Sequence, residues 1–265
     1  MTSTKPKRFA LTISKIAIGL LLTAVMLFAA KEILNTHTQY QEAELLHQSL
    51  LVYKPISVTR LPAASKTQEE EPEPTEQEEP SAISLMQEQY PDVVGWLTLP
   101  GTPIDYPFVQ GRDNDEYLRA DLNGDYLFAG SIFLDYRSAP DFSTFNSIIY
   151  GHNMKNASMF GSLPNFKAAE YFQDITDGSV FLAEKEYKFE IFAALLTNNY
   201  DSILYNSLQI TEEDKQAFLD YIRENARHYR NIGETTDDYI LTLSTCSYEF
   251  DEARTVVVGR LIEIN

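Results

Sequence analysis

Cysteine is nearly absent from this 265-residue chain: Cys246 is the only one, so no disulfide can form within it. If the chain is exported, that leftover thiol raises a functional question. Basic residues are also few. Lys and Arg number 21 against 39 Asp and Glu, for a formal net charge of −18. A chain this acidic lacks the positive footprint that a nucleic acid requires, which removes nucleic acid from its partners. Histidines number four, and none has a metal-ligand pattern. His37 and His47 lie among polar neighbours and read as solvated helix residues. The Asp121-Leu-Asn-Gly-Asp125 stretch has its glycine too early for a calcium loop and reads as a turn. No cofactor and no metal are implied, and no internal repeat is visible. Tryptophan occurs once, whereas Tyr and Phe occur 16 and 15 times. These two aromatics favour strands and point to a β-rich domain.

Composition divides the chain into four parts. Residues 1–31 begin with Lys5, Lys7 and Arg8 and continue into an apolar run over 9–30, interrupted by Lys15. With Lys15 reaching the interface, the run matches the roughly twenty residues that cross a bilayer. It reads as an uncleaved signal anchor. The alternative, a cleaved signal peptide, has a poor cleavage site, because Phe28 holds the first position of Phe28-Ala-Ala30. Positive charge on the N-terminal side places that end in the cytoplasm and the remainder outside. Residues 32–54 carry a partial apolar stripe and read as a helical stalk. Residues 55–82, rich in Glu and Pro, cannot bury a core and read as an extended spacer.

From residue 83 to the C-terminus the composition is globular. Period-two patterning predicts strands over 93–99, 105–110, 130–135, 147–150, 239–245 and 255–264, with a hairpin over 179–196. Short helices are expected over 83–90, 159–166 and 168–172. A longer amphipathic helix is expected over 211–229, with His228 in its last turn. The fold class is mainly β with accessory helices. About eight short strands of this kind close as a barrel or a tight sandwich.

The predicted strand 239–245 runs out at Cys246, and the next begins just after Arg254. A thiol facing a fixed cation across the end of a hairpin has a lowered pKa and is a better nucleophile. Taken alone, such a cysteine is more often a small buried hydrophobe, so a histidine must be found for it. Two of the four histidines are on the stalk and His228 is in a peripheral-looking helix. His152, in Tyr150-Gly-His-Asn-Met154, follows a buried-looking strand on a glycine-marked turn. A barrel brings strand ends to a common rim, so His152, Cys246 and Arg254 can converge. The chemistry assigns their roles. Cys246 attacks a carbonyl and forms a thioester. His152 protonates the leaving amine and deprotonates the incoming nucleophile. Arg254 and nearby backbone N–H groups steady the oxyanion or hold substrate.

The Thr242-Leu-Ser-Thr-Cys246 stretch with Arg254 eight residues on, together with Tyr150-Gly-His-Asn-Met154, resembles a sortase. Val94-Gly-Trp-Leu97, Gly130-Ser-Ile-Phe-Leu-Asp135, the stretch 153–160 and the helix before the cysteine strand are similar to class B. The resemblance implies an eight-stranded barrel. It also implies a membrane-anchored cysteine transpeptidase of Gram-positive bacteria that cleaves a C-terminal sorting signal after Thr. In class B that signal is Asn-Pro-x-Thr-x or a relative. The acyl group passes to an amine, usually of a lipid-linked peptidoglycan precursor. The calcium dependence of class A does not carry over. Ser244, Thr245 and Ser247 either touch substrate, as such residues do in sortases, or are ordinary strand-end hydroxyls. Asn153 either orients His152 or caps its turn, and Tyr248 either walls the pocket or packs. A membrane-anchored cysteine hydrolase and a pilin-polymerising enzyme are the alternative functions.

Overall fold

The computed structural model describes residues 5–56, 80–206, 211–246 and 252–264. Most of the expected linker, residues 57–79, lies outside the described residues, as do Ser247 and Tyr248. Two compact units are present, residues 1–46 and 47–265.

The first unit holds most of helix α1, Lys5–Leu50. Its described part is long and apolar enough to cross a membrane. Leu20, Leu21, Leu22, Met26, Leu27 and Phe28 are all exposed on it, as a lipid-facing helix requires. The expected anchor and most of the stalk therefore belong to one continuous helix. Its last turn belongs with the second unit, where Leu50 is buried and Lys54 pairs with Asp105 at 2.5 Å.

In the second unit, nine strands are found among the described residues. They are β1 (Val93–Thr98), β2 (Asp105–Gln110), β3 (Ile132–Leu134), β4 (Asn146–Tyr150), β5 (Asp177–Phe181), β6 (Glu186–Asn198), β7 (His228–Tyr229), β8 (Tyr239–Cys246) and β9 (Ala253–Ile264). Their order is β5-β1-β2-β3-β4-β8-β9-β6-β7, and β5 also pairs with β6. That pairing closes an eight-stranded barrel, with the far part of the β6 edge left beyond the reach of β5. The two-residue β7 occupies the length of the β6 edge that β5 does not reach. Trp96, Phe108, Phe160, Phe166 and Phe189 are among the fully buried side chains.

Two pairings, β2–β3 and β4–β8, are parallel. A parallel pair needs a crossover, and the two crossovers supply the parts around the site. The first spans 111–131 and carries Leu118. The second spans 151–238 and includes helix α2 (Glu212–Asn225). Thr211 caps α2 and completes a capping box with Asp214, the shorter acid serving where Glu or Gln is preferred. Phe218, Leu219 and Ile222 of α2 pack with Phe192, Leu195, Ile240 and Val256.

One expectation is corrected. The helix stops at Asn225, and His228 is in β7 rather than in a last helical turn. Ala226 takes an extended backbone, and the β6 edge captures the N–H groups of Arg227 and Arg230 through Ala194 and Phe192 carbonyls at 2.8 and 2.7 Å. Those ladder bonds outweigh the continued apolar pattern. His228 is stacked on Phe172, with Nε2 2.9 Å from the Lys167 carbonyl.

Candidate active site

Because β4 and β8 run parallel, both chains leave the barrel at the same rim. Tyr150 is in register with Ser244, so His152 and Cys246 stand at the same offset past that pair. Strand β9 lies antiparallel on the other side of β8, with Arg254 opposite Cys246. Neighbouring strands are about 4.8 Å apart. The pairing thus brings the three sequence-predicted residues to one rim, although His152 is far from Cys246 and Arg254 in the chain. All three line a cleft of about 410 Å3, together with Asn114, Leu118, Arg137 and Tyr205.

The end of β4 and the end of β8 are stitched together. Thr245 Oγ1 donates to the Gly151 carbonyl at 2.7 Å, and the Gly151 N–H donates to the Ser244 carbonyl at 3.2 Å. Asn153 Nδ2 donates to the Cys246 carbonyl at 2.9 Å. Asn153 therefore ties the histidine loop to the cysteine backbone. Ser244 and Thr245 are almost fully buried, and the Ser244 hydroxyl bonds the Tyr205 hydroxyl at 2.9 Å. Ser244 and Thr245 line the cleft and, through these bonds, also hold its wall together.

His152 Nε2 is 2.7 Å from the Leu118 carbonyl. A carbonyl only accepts, so Nε2 carries the proton and a neutral ring keeps its lone pair on Nδ1. Burial lowers the His152 pKa from its ordinary 6.5. The Leu118 hydrogen bond opposes that shift, and the Arg119 charge adds to it. At neutral pH the ring is mostly a base awaiting a proton. Cys246 is a half-buried free thiol. The Arg254 guanidinium, about one-fifth exposed, donates to the Ala253 carbonyl at 3.0 Å and pairs with Glu252 at 3.3 Å.

Next to these groups is a buried carboxylate. Asp135 is fully buried at the end of β3. Its Oδ1 accepts from the Arg137 backbone N–H and Nε, both at 2.9 Å. Its Oδ2 accepts from Arg137 Nη2 at 2.7 Å and from Asn114 Nδ2 and the Tyr150 hydroxyl, each at 3.0 Å. Burial pushes the Asp135 pKa up, but the bonds and charge of Arg137, with Asn114, outweigh it and hold the carboxyl below its ordinary value. Arg137 Nη2 also reaches the Tyr205 carbonyl at 3.2 Å, and the Tyr205 ring stacks on Tyr150. Burial raises the Tyr205 hydroxyl to about 12. Its Ser244 bond and Arg254 pull it down, and Asp201 and Cys246 push it up.

The sequence model of the sortase domain matches residues 97–262. The chain belongs to the sortase family. Among its curated relatives, Sortase B of Listeria monocytogenes is 36% identical over 174 residues, covering 64% of this chain and 70% of the relative. Among solved structures, a Streptococcus pyogenes class B sortase involved in pilus biogenesis is 37% identical, with a TM-score of 0.62. The match covers 67% of this chain and 96% of that one. A Staphylococcus aureus sortase B–substrate complex is 28% identical, with a TM-score of 0.65, covering 69% and 86% of the two chains. These likenesses make the chain a class B sortase, a cysteine transpeptidase by family.

Sequence reading missed much of this sortase's cleft. The Leu118 carbonyl is a backbone atom and leaves no side-chain signal. Asp135 and Arg137 do leave one, since a carboxylate and a guanidinium follow an all-apolar strand at once. Asn199 and Tyr205 come from the irregular stretch that follows β6, where no periodicity marks them. Among the described residues, no three His, Cys, Asp or Glu side chains gather as a metal site.

Proposed function

We propose that this sortase cleaves a C-terminal sorting signal of Asn-Pro-x-Thr-x type after Thr and transfers the acyl group to an amine, with Cys246, His152 and Arg254 as its catalytic residues. The observation that carries the reading is that the three lie at or just past the ends of three adjacent strands and line one cleft. The Cys246 thiol proton passes to His152 Nδ1, and Sγ attacks the Thr carbonyl carbon. As the C–N bond breaks, His152 returns the proton to the leaving amine, and a thioester remains. An incoming amine attacks the thioester, His152 takes up its proton, and the sulfur leaves as thiolate. Arg254 and N–H groups beside Cys246 face the developing oxyanion or the substrate backbone.

The partners are secreted proteins that carry the signal and a lipid-linked peptidoglycan precursor that supplies the amine. Lys5, Lys7 and Arg8 ahead of the apolar run support a cytoplasmic N-terminus, a single membrane span and an extracellular catalytic domain. A second reading, pilin polymerisation with a lysine side chain as the amine, rests on likeness to the Streptococcus pyogenes enzyme involved in pilus biogenesis.

The test incubates the protein with Asn-Pro-x-Thr-x and Leu-Pro-x-Thr-Gly peptides, with and without amines. The amines are a peptidoglycan cross-bridge analogue and a lysine-bearing pilin peptide. Mass spectrometry follows the products, with Cys246→Ala as control. Cleavage after Thr, an acyl adduct on Cys246 and amine-bearing product are expected. Release to water alone, unaffected by any amine, would identify a hydrolase instead.

A further inference from the structure

Strand β9 is entered through a residue in an unfavourable backbone conformation. Glu252 has φ 58, in the left-handed region that residues other than Gly and Asn avoid. Its side chain is half exposed, so its ion pair with Arg254 contributes little to folding. Fold stability therefore gives no reason to keep a glutamate here.

The contacts of Glu252 lead to the cleft. One carboxylate oxygen, Oε2, accepts from Arg254 Nη2 at 3.3 Å and from Asn199 Nδ2 at 2.9 Å. The Glu252 carbonyl accepts the Asn199 N–H at 3.1 Å. Both Asn199 and Arg254 line the cleft that holds Cys246. The other edge of the guanidinium is held by the Ala253 carbonyl. Arg254 thus has a long, flexible side chain fixed by two neighbouring acceptors, and the end of β6 fixes the carboxylate in turn. Local strain that surrounding contacts maintain is a mark of functional sites.

We propose that Glu252 is a positioning residue: its left-handed backbone turns the carboxylate back under Arg254 and aims the guanidinium at the substrate carbonyl opposite Cys246. This rests on the reading that Arg254 binds substrate or oxyanion. The cost of the conformation is accepted because a guanidinium already oriented loses less freedom when it meets the transition state.

Glu252→Gly separates this role from a structural one, since Gly adopts φ 58 without strain while removing the carboxylate. Glu252→Asn does the same, because Asn tolerates this region and is too short to reach Arg254. The full-length variants would be assayed in detergent with a sorting-signal peptide and an amine. Tm and the rate of Cys246 alkylation by iodoacetamide would be measured alongside. Both variants should keep Tm and alkylation rate while kcat/KM falls roughly tenfold to a hundredfold. Glu252→Gln, which keeps an acceptor oxygen, should recover most of that loss. Full or raised activity in the Gly and Asn variants, beside an inactive Arg254→Ala, would overturn the proposal and leave the reading of Arg254 intact. Full activity in Arg254→Ala would overturn both. Activity losses that track losses of Tm in both variants would make Glu252 structural only and overturn it too.

Discussion

Replacing Asp135 by Asn tests whether the buried carboxylate organises the cleft. The exchange keeps the shape but puts an NH2 group where one carboxylate oxygen was. If the amide oxygen stays on the Oδ1 side, the new NH2 faces three donors: Arg137 Nη2, the Asn114 amide and the Tyr150 hydroxyl. If it flips, the NH2 faces the Arg137 backbone N–H and Nε instead. Either way Arg137 loses its counter-ion. Breaking a buried pair on one side costs about 3–5 kcal/mol. Here the Arg137 side chain is 32% exposed against 0% for Asp135, so water recovers part of the loss. We expect about 2–4 kcal/mol, or a fall in Tm of roughly 5–12 °C for a domain of this size. The pH dependence is a sharper check. The Asp135 pKa lies below its ordinary 3.8 when folded, so its contribution is fully present above that pH and is lost as the pH falls through the lower, folded value. The stability gap between wild type and variant should therefore be level from about pH 5 to 8 and shrink in stronger acid. Urea unfolding across that range, followed by near-UV circular dichroism, measures it. A gap under about 1 kcal/mol at neutral pH, the worth of a single ordinary hydrogen bond, or one that does not narrow in acid, would refute the reasoning.

The remaining expectations concern the histidine and its loop. Because burial holds the His152 pKa below 6.5, the acid limb of a bell-shaped kcat/KM profile should fall below that pH; a limb above pH 7 would contradict a histidine that burial keeps neutral. The same depressed pKa makes the stability contribution of His152 complete above 6.5 and lost as pH drops through the folded value. Gly130 has φ +59, and a Cβ there would lie 2.4 Å from the Leu118 carbonyl that binds His152. Gly130→Ala should destabilise the fold by about 2–3 kcal/mol and shift the His152 ring resonances, and an unchanged imidazole spectrum would count against the link. Asn153→Ala removes the donor to the Cys246 carbonyl at a cost of about 1 kcal/mol. It should lower kcat/KM several-fold while substrate cleavage still occurs after Thr. Equal kcat/KM in wild type and variant would show that the stitch has no bearing on the cysteine.

Local sequence carried a large part of this protein. Period-two patterning marked nearly every barrel strand, because a half-buried strand must alternate its side chains. The single cysteine, a glycine-marked histidine turn and an arginine just before the last strand stood out as chemically capable groups at strand ends. The helix that stops at Asn225 was the local failure: its apolar spacing continues to Tyr229, but free N–H groups there met the open edge of β6. No local signal could announce that edge. The same holds for the site. That His152 and Cys246 share a rim follows from the parallel pairing of β4 with β8, and parallel strands are joined by a crossover whose course the local pattern leaves open. The Leu118 carbonyl, the Asp135 hub and the left-handed Glu252 likewise exist only once separate segments meet. Residue types and spacing determined which groups could react. Register, barrel closure and burial decided which of them meet and in what protonation state, because distance, desolvation and hydrogen-bond geometry are properties of the packed chain.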